Sequence, residues 1–484
     1  MIPTLITVPG RVLPAPDVKY QGNKTSKPTF GSWYSNRFLT AASMANWTYL
    51  RISVKGDERN DPWTNEESLN ATIDGFRQAL VNSGMMVAAC LPGMSIAVDP
   101  GRPEADIDNA INLFNTSKKR PPPKMILVIL PRDDSAIYNR VKYACDIKEG
   151  ILNVCVIASK FAKGDSRYYE NVALKFNLKL GGRNQSLDSA KLGIIANGKT
   201  MVVGIDVTHP APGASTTAPS VAGMVASVDQ FLGQWPGELR IQAGRQEMVA
   251  DLTGLFKSRL SLWNAKHGGY PENVLVYRDG VSEGQYNMVV DEELPALRKA
   301  CEQLYPLSST KNRLPRMTLI IVGKRHNTRF YATRKEDADR SSNPSNGTVV
   351  DRGVTESKNW DFFLQAHAAI QGTARPAHYY IVYDEIFRGQ SVSAPFTNAA
   401  DVLEDLTHNI CYMFGRANKA VSICPPAYYA DLACERARCY LHGLMDQTSS
   451  AASVVSGQTS GPGQAVDPGL VKLHDNVRNS MFYI

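Results

Sequence analysis

The stretch MVVGIDVTHP, residues 201–210, decides how this chain is read. Met201, Val202, Val203 and Ile205 form an apolar, largely β-branched run of strand length, yet Asp206 stands inside it. An unpartnered carboxylate there costs several kcal/mol, so something must compensate it. A bound divalent cation would do so, and so would a role in capping the turn that follows. Two further runs, NVLVYRD ending at Asp279 and HYYIVYD ending at Asp384, repeat the arrangement. Ligands of open α/β sheets gather beyond the carboxyl ends of strands, so Asp206, Asp279 and Asp384 are candidates for one site. Two or more of them meeting around Mg²⁺, or Mn²⁺ as the alternative, would suit in-line displacement at phosphorus. Spacing alone does not rank Asp384 below Asp279.

Working outward, MVVGIDV, SVAGMVASV, NVLVYRD, MTLIIVG and HYYIVYD alternate as strands with helical segments from about residue 190 onward. An earlier alternation sets WTYLRISV (47–54), MILVIL (125–130) and NVCVIA (153–158) against SLNATIDGFRQALVNSG, SAIYNRVKYAC and SRYYENVALKFNLKL. The pattern predicts an α/β chain whose first domain has a mainly parallel sheet. With 484 residues, 43% of them hydrophobic, there is material for two or more cores. Residues 1–30 are rich in Pro and Gly and read as a linker. The Ser- and Gly-rich stretch 446–469 carries two charges and reads as a flexible surface loop, after which LVKLHDNVRNSMFYI resumes a helical pattern.

Composition excludes several classes. MILVIL is boxed in by Pro121, Pro122, Pro123 and Pro131 and is far too short to cross a bilayer. The N-terminus lacks a basic n-region and a small-residue cleavage site, and the eight cysteines form no CxxC pair. The expectation is a chain with reduced thiols and no membrane partner, in the cytoplasm with the nucleus as alternative. Net charge is +7, but residues 118–183 alone hold fourteen Lys or Arg against six Asp or Glu, an excess of +8. Such a segment attracts a polyanion, nucleic acid being the commonest, although a solvated basic surface would look the same.

GIDVTHP, RQEMVADL, VYRDGVSEGQY, KRHNTRFY, HAAIQGTARPAHYYIVYDE and VSICPPAYYADLACERARCY occur in that order and resemble the PIWI domain of eukaryotic Argonaute proteins. AIYNRVKYAC and NVALKFNLKLGG resemble the same family's MID domain, and GRVLPAPDVKY its second linker. The resemblance covers nearly the whole chain. It implies a linker segment at 1–30, a Rossmann-like MID domain at 31–183 and a PIWI domain with a ribonuclease H fold at 184–484. It also implies the C-terminal lobe of a longer protein whose N and PAZ domains are absent from this chain.

By the same resemblance the catalytic set is Asp206, Glu247, Asp279 and Asp431, with Asp206, Asp279 and Asp431 as Mg²⁺ ligands and Asp384 set aside. Tyr138 is implied to stack on the first guide base, while Lys142, Lys175 and Lys179 bind the guide's 5′ phosphate. Tyr138 and Lys142, like Lys175 and Lys179, lie four apart and share a helix face. Where the family usually has Gln before Cys155 this chain has Val154, so either a phosphate or base contact is lost or Asn153 replaces it. Arg436 is implied to reach the 5′ end across the domain boundary. Lys324, Arg325, His367, Arg416, Ser422 and Tyr428 match positions that hold the guide backbone, and Phe414 stands where Tyr is common. His209 and His326 read as structural or backbone-contacting. The implied activity is Mg²⁺-dependent, guide-directed cleavage of complementary target RNA, with a small guide RNA and silencing-complex proteins as partners. A module that holds guide and target without cleaving is the alternative; a guide-independent nuclease would have no use for a 5′-phosphate pocket.

Overall fold

The structure is a computed structural model that describes residues 5–57, 61–117, 121–215, 217–308, 314–445 and 467–484. A short strand, β1 (Arg11–Val12), comes first and joins a sheet built mostly from the far end of the chain. Four strands then make a sheet of their own: β2 (Trp47–Val54), β3 (Met94–Val98), β4 (Met125–Leu130) and β5 (Leu152–Ile157). All are parallel, in the spatial order β3–β2–β4–β5. Helices α1 (Glu66–Asn82), α2 (Glu104–Thr116) and α3 (Ser135–Tyr143) connect successive strands, and α4 (Ser166–Lys179) follows the last. Helices α1 and α4 pack on one face and α2 and α3 on the other, so every residue of MILVIL is buried. Asn65 and Ser68 cap the start of α1 reciprocally, while Asp134 and Asp165 accept backbone N–H groups at the starts of α3 and α4.

The second sheet has nine strands. Its later members are β6 (Thr200–Thr208), β7 (Ser220–Ala226), β8 (Gly237–Gln242), β9 (Asn273–Asp279), β10 (Arg316–Gly323), β11 (Thr348–Val350), β12 (Trp360–Gln365) and β13 (Ala377–Asp384). The order is β1–β11–β12–β13–β10–β9–β6–β7–β8, with β6, β9 and β10 parallel and every other neighbour antiparallel. Helices α5 (Leu252–His267) and α6 (Leu294–Leu304) cover one face. Helices α7 (Ala399–Ile410) and α8 (Pro425–Tyr440) cover the other, giving a ribonuclease H-like architecture.

Two regions differ from their sequence reading. The segment expected as a linker supplies β1, because Arg11 enters a trio of carboxylates, Asp351, Asp401 and Glu404, and ion-pairs with all three. The final residues form only a 3-10 turn (Pro468–Val471) and a single helical turn (Asp475–Arg478). Met481, Phe482, Tyr483 and Ile484 are buried as an apolar plug in the core of the second sheet, which a solvent-facing helical stripe would not allow. Of the stretch read as a flexible loop, 446–466 lies outside the described residues, and Asp467 caps the turn that follows it.

Candidate functional site

Strands β6 and β9 run side by side with Ile205 opposite Arg278, so Asp206 and Asp279 stand level, one residue further on, at the carboxyl edge of the sheet. Asp384 ends a strand running the other way, opposite Thr318 at the start of β10, and so lies at the opposite edge. Its carboxylate accepts N–H bonds from Ile386 (3.1 Å), Phe387 (3.1 Å) and Arg388 (2.7 Å), which makes it a turn cap. Strand direction thus separates three carboxylates that spacing could not.

Helix α8 brings in the next group. A Cβ at Gly204 would sit 1.8 Å from the Pro426 carbonyl oxygen, and one at Gly223, opposite Asp206 on β7, 2.7 Å from Cys434 Sγ. The helix therefore lies directly on bare backbone, with the Cys434 thiol 3.3 Å from the Asp206 carbonyl. One turn before Cys434, Asp431 is carried over the strand ends. Glu247 arrives from the loop before α5, held by His209 Nε2 (2.9 Å) and by the buried Arg278 (2.9 Å). Arg278 also donates to the Glu247 carbonyl (2.7 Å) and pairs with Glu293 (3.0 Å). At Gly280, whose φ of +87° suits glycine, a Cβ would lie 3.2 Å from Asp206 Oδ1 and 3.7 Å from Glu247 Oε1. The two carboxylates thus flank one open cradle.

Burial raises the pKa of Asp206, with Arg278 opposing. Asp279 is pushed up to about 7 by burial and then by the charges of Asp206 and Asp431. Asp431 is likewise pushed up to about 7, by burial and then by Asp206 and Glu435. Burial works against the charge of Glu247 too, but His209 and Arg278 outweigh it and its pKa is lowered. Glu247 Oε1 is nevertheless buried without an aligned hydrogen bond among the described residues. Hard carboxylate oxygens and mutual repulsion beside an open cradle fit a divalent cation. Among the described residues Asp351, Asp401 and Glu404 bring their oxygens within 4.8 Å of one another, but this trio fits one less well, since the guanidinium of Arg11 already ion-pairs with all three.

A second site lies between the two sheets, a cavity of about 190 Å³. It is lined by Tyr138 and Lys142 of α3, Cys155 of β5, Lys175 of α4, Arg436 of α8, and Arg416. Lys142 sits 5.2 Å over the Tyr138 ring. Burial, with help from Arg416 and Lys142, lowers the Lys175 pKa to about 8. Lys179 and Asn153 stand behind the cavity wall. Lys179 donates to the Phe482 carbonyl, and its pKa is forced well down by burial, Lys142 and Arg436. Asn153 accepts from Lys142 and donates to Asp146 (3.0 Å), so it positions a cation. Arg416, implied by the resemblance to hold the guide backbone, lines the cavity beside Lys175.

Sequence reasoning missed the counter-charge. Asp146, fully buried, accepts from Arg436 (2.9 Å) and Tyr440 (2.7 Å). It sits in a π-helical continuation of α3, Ala144–Glu149, where 3.6-residue periodicity no longer says which side chain points inward. Arg436 also donates to the carbonyls of Phe482 (2.7 Å) and Tyr483 (3.3 Å), so the chain's last residues form one wall. The remaining candidates are spread between the two sites. Lys324 donates to Ser422 Oγ, and the charge of Arg325 offsets a small part of the burial-driven rise in the pKa values of Asp206 and Asp431. His367 is held to about 4 by burial and then Lys324, while Tyr428 stacks on Phe414 at 4.6 Å. His209 is accounted for by Glu247 and Ser220, and His326 by the Pro376 carbonyl.

The model of the Piwi domain matches residues 125–442. The chain belongs to the Piwi family. That span opens at β4 and so crosses the boundary drawn at 183. Among curated Argonautes, argonaute 5 of Arabidopsis thaliana is 36% identical over 99% of this chain and 47% of its own length; the chain spans about half of such relatives. The C-terminal lobe of a budding yeast Argonaute superposes with a TM-score of 0.82 at 27% identity, covering 99% of this chain and 95% of that one. Kluyveromyces polysporus Argonaute, solved with a guide RNA, gives 0.81 at 29% identity over 99% of this chain and 57% of that one. The chain is a MID–PIWI lobe: the parallel sheet is the MID part, and the nine-stranded sheet the ribonuclease H-like PIWI part.

Proposed function

We propose that this lobe holds a small guide RNA by its 5′ phosphate and cleaves complementary target RNA with Mg²⁺. The observation that carries the reading is one helix serving two sites: α8 places Asp431 with Asp206 and Asp279, and Arg436 in the cationic cavity. Lys142, Lys175, Arg416 and Arg436 would neutralise a terminal phosphate, with the Tyr138 ring in the cavity lining for the first base. Asp206, Asp279 and Asp431 would hold the metal, and Glu247 would close the set. When bound, Mg²⁺ supplies positive charge for activating water and for the leaving 3′ oxygen. His209 and Arg278 keep Glu247 ionised and aimed at the cradle, and Arg325 sets a positive charge beside the carboxylates where a backbone phosphate would approach. Lys324, Ser422, His367 and Tyr428 would support the strand between the two sites. That the Kluyveromyces polysporus relative was solved with a guide RNA supports the partner class.

The test is cleavage of matched and mismatched RNA targets by guide-loaded protein with Mg²⁺ and with EDTA. Metal-dependent cutting at one position of the matched target is the expected result. Tight guide and target binding without cutting would reduce the lobe to a non-cleaving binding module.

A further inference from the structure

Two of the eight cysteines line the cationic cavity: Cys155 on β5 and Cys439 at the end of α8. Both are partly exposed, whereas Cys145, Cys301, Cys411, Cys424 and Cys434 are buried. Cys90, the remaining partly exposed thiol, borders the first sheet's other core, away from the cavity. Around the two cavity thiols stand Lys142, Lys175, Arg416 and Arg436. Partial exposure in an electropositive cavity is a setting in which a cysteine reacts with anions, because the surrounding cations concentrate anionic reagents there. The Cys439 thiol leans on the Glu435 carbonyl (3.6 Å), which leaves Cys155 as the freer nucleophile. Neither phosphate binding nor metal chemistry uses these sulfurs.

We propose that the cavity is also a covalent modification site, at which Cys155 takes up anionic small-molecule disulfides and thereby fills the seat of the guide's 5′ phosphate. The Cys155 thiolate attacks one sulfur of the disulfide. A protein–reagent S–S bond forms as the reagent's own S–S bond breaks; the departing half leaves as a thiolate, and the proton of the Cys155 thiol goes to solvent. The anionic group of the retained half lies among Lys142, Lys175 and Arg416. The occupancy of the seat rests on the phosphate reading above; the reactivity of the thiol does not.

The test treats the guide-free chain with dianionic 5,5′-dithiobis(2-nitrobenzoate) or neutral 4,4′-dithiodipyridine and follows each cysteine by peptide mass spectrometry, with Cys90 as internal reference. The Cys155-to-Cys90 rate ratio is expected to be roughly tenfold or more higher for the dianion. Cys155→Ser should remove the fast site, Lys175→Ala should narrow the ratio, and dithiothreitol should reverse the labelling. Equal ratios for the two reagents would overturn the proposal. A 5′-phosphorylated guide should protect Cys155 where a 5′-hydroxyl guide does not. If neither protects while the charge preference holds, the phosphate seat is refuted and the modification site stands.

Discussion

The two sites flanking α8 are opposite in charge and are stabilised by different means. The cationic cavity carries its own counter-charge, since Asp146 and the carbonyls of Phe482 and Tyr483 hold Arg436 in place before any ligand arrives. The acidic site has Arg278 and Arg325 at its border, yet Asp279 and Asp431 are still pushed up to about 7. In one site a single buried carboxylate serves several cations; in the other the buried Arg278 is already paired with Glu247 and Glu293, and Asp279 and Asp431 are left short of positive charge. A dianion meets a preformed seat in the first, whereas the second is fully ionised at neutral pH only when a cation joins it.

The sharpest way to break this comparison is to remove ligands from the acidic side. Asp206→Ala or Asp279→Ala is expected to bring cleavage below detection while leaving guide affinity nearly unchanged, because neither residue reaches the cavity. Asp384→Ala should keep cutting, its carboxylate being a turn cap at the far edge of the sheet. Asp431→Asn should be far weaker than wild type, and Asp431→His should retain partial activity, since imidazole also ligates metals. Single-turnover rates decide it. Wild-type cutting by either Asp206→Ala or Asp279→Ala would dissolve the metal assignment.

On the cationic side the expected effects are smaller. A guide with a 5′ hydroxyl should bind at least about tenfold more weakly than its phosphorylated twin, charge-assisted hydrogen bonds being worth roughly 1.5–3 kcal/mol each. Lys142→Ala should narrow that gap. Arg416→Ala should narrow it too, because Arg416 lines the cavity; equal weakening of both guides would return Arg416 to the strand backbone. The gap should also depend on pH. Lys175 has its pKa lowered to about 8, and a phosphate favours its charged form, so the gap is full below that value and shrinks as pH rises through it. Filter binding at pH 7 and pH 9 measures this, and a gap unchanged between them would remove Lys175 from the contact.

How much of this was legible in the sequence follows from how local each feature is. Strands β2, β4, β6, β7, β9, β10 and β13 carry dense apolar runs, and the sequence announces them. Strands β8 (GELRIQ) and β12 (WDFFLQ) contain charges compensated by distant partners, Glu238 by Arg259 and Arg478 and Asp361 by His378, so a single sequence gives no such notice. Asp206 and Asp279 stood out as carboxylates in apolar surroundings. Arg278, equally anomalous in NVLVYRD, carried the same signal and marks the residue that fixes Glu247. Glu247 and Asp431 came only from family resemblance, since their approach depends on a loop and on a helix resting on Gly204 and Gly223. Asp146 and the chain's last carbonyls were out of reach. Their roles depend on a π-helical turn and on contacts across 290 residues, from Arg436 to Asp146, and 303 residues, from Lys179 to the Phe482 carbonyl, and no local pattern encodes either.

The smallest effect tests the charge deficit itself, without any catalysis. Carboxylates whose pKa rises on folding, as Asp279 and Asp431 do from 3.8 to about 7, bind protons in the folded chain that the unfolded chain has already released. Their contribution to stability is therefore fullest below about pH 4, falls across the interval up to about 7, and is lost above it. A divalent cation does at high pH what the proton does at low pH. Mg²⁺ is accordingly expected to raise the melting temperature of this lobe by roughly 1–2 °C at pH 8 and hardly at all at pH 5.5, where protons already hold the site. Asp279→Asn should melt higher than wild type in EDTA at pH 8 and lose the response to Mg²⁺, because the amide removes the repulsion and the ligand together. Thermal scans of both proteins at the two pH values, with Mg²⁺ and with EDTA, give the answer. A Mg²⁺ response of equal size at both pH values, or one that survives in Asp279→Asn, would mean that the cation acts elsewhere on the chain and that Arg278 and Arg325 alone suffice for the acidic site.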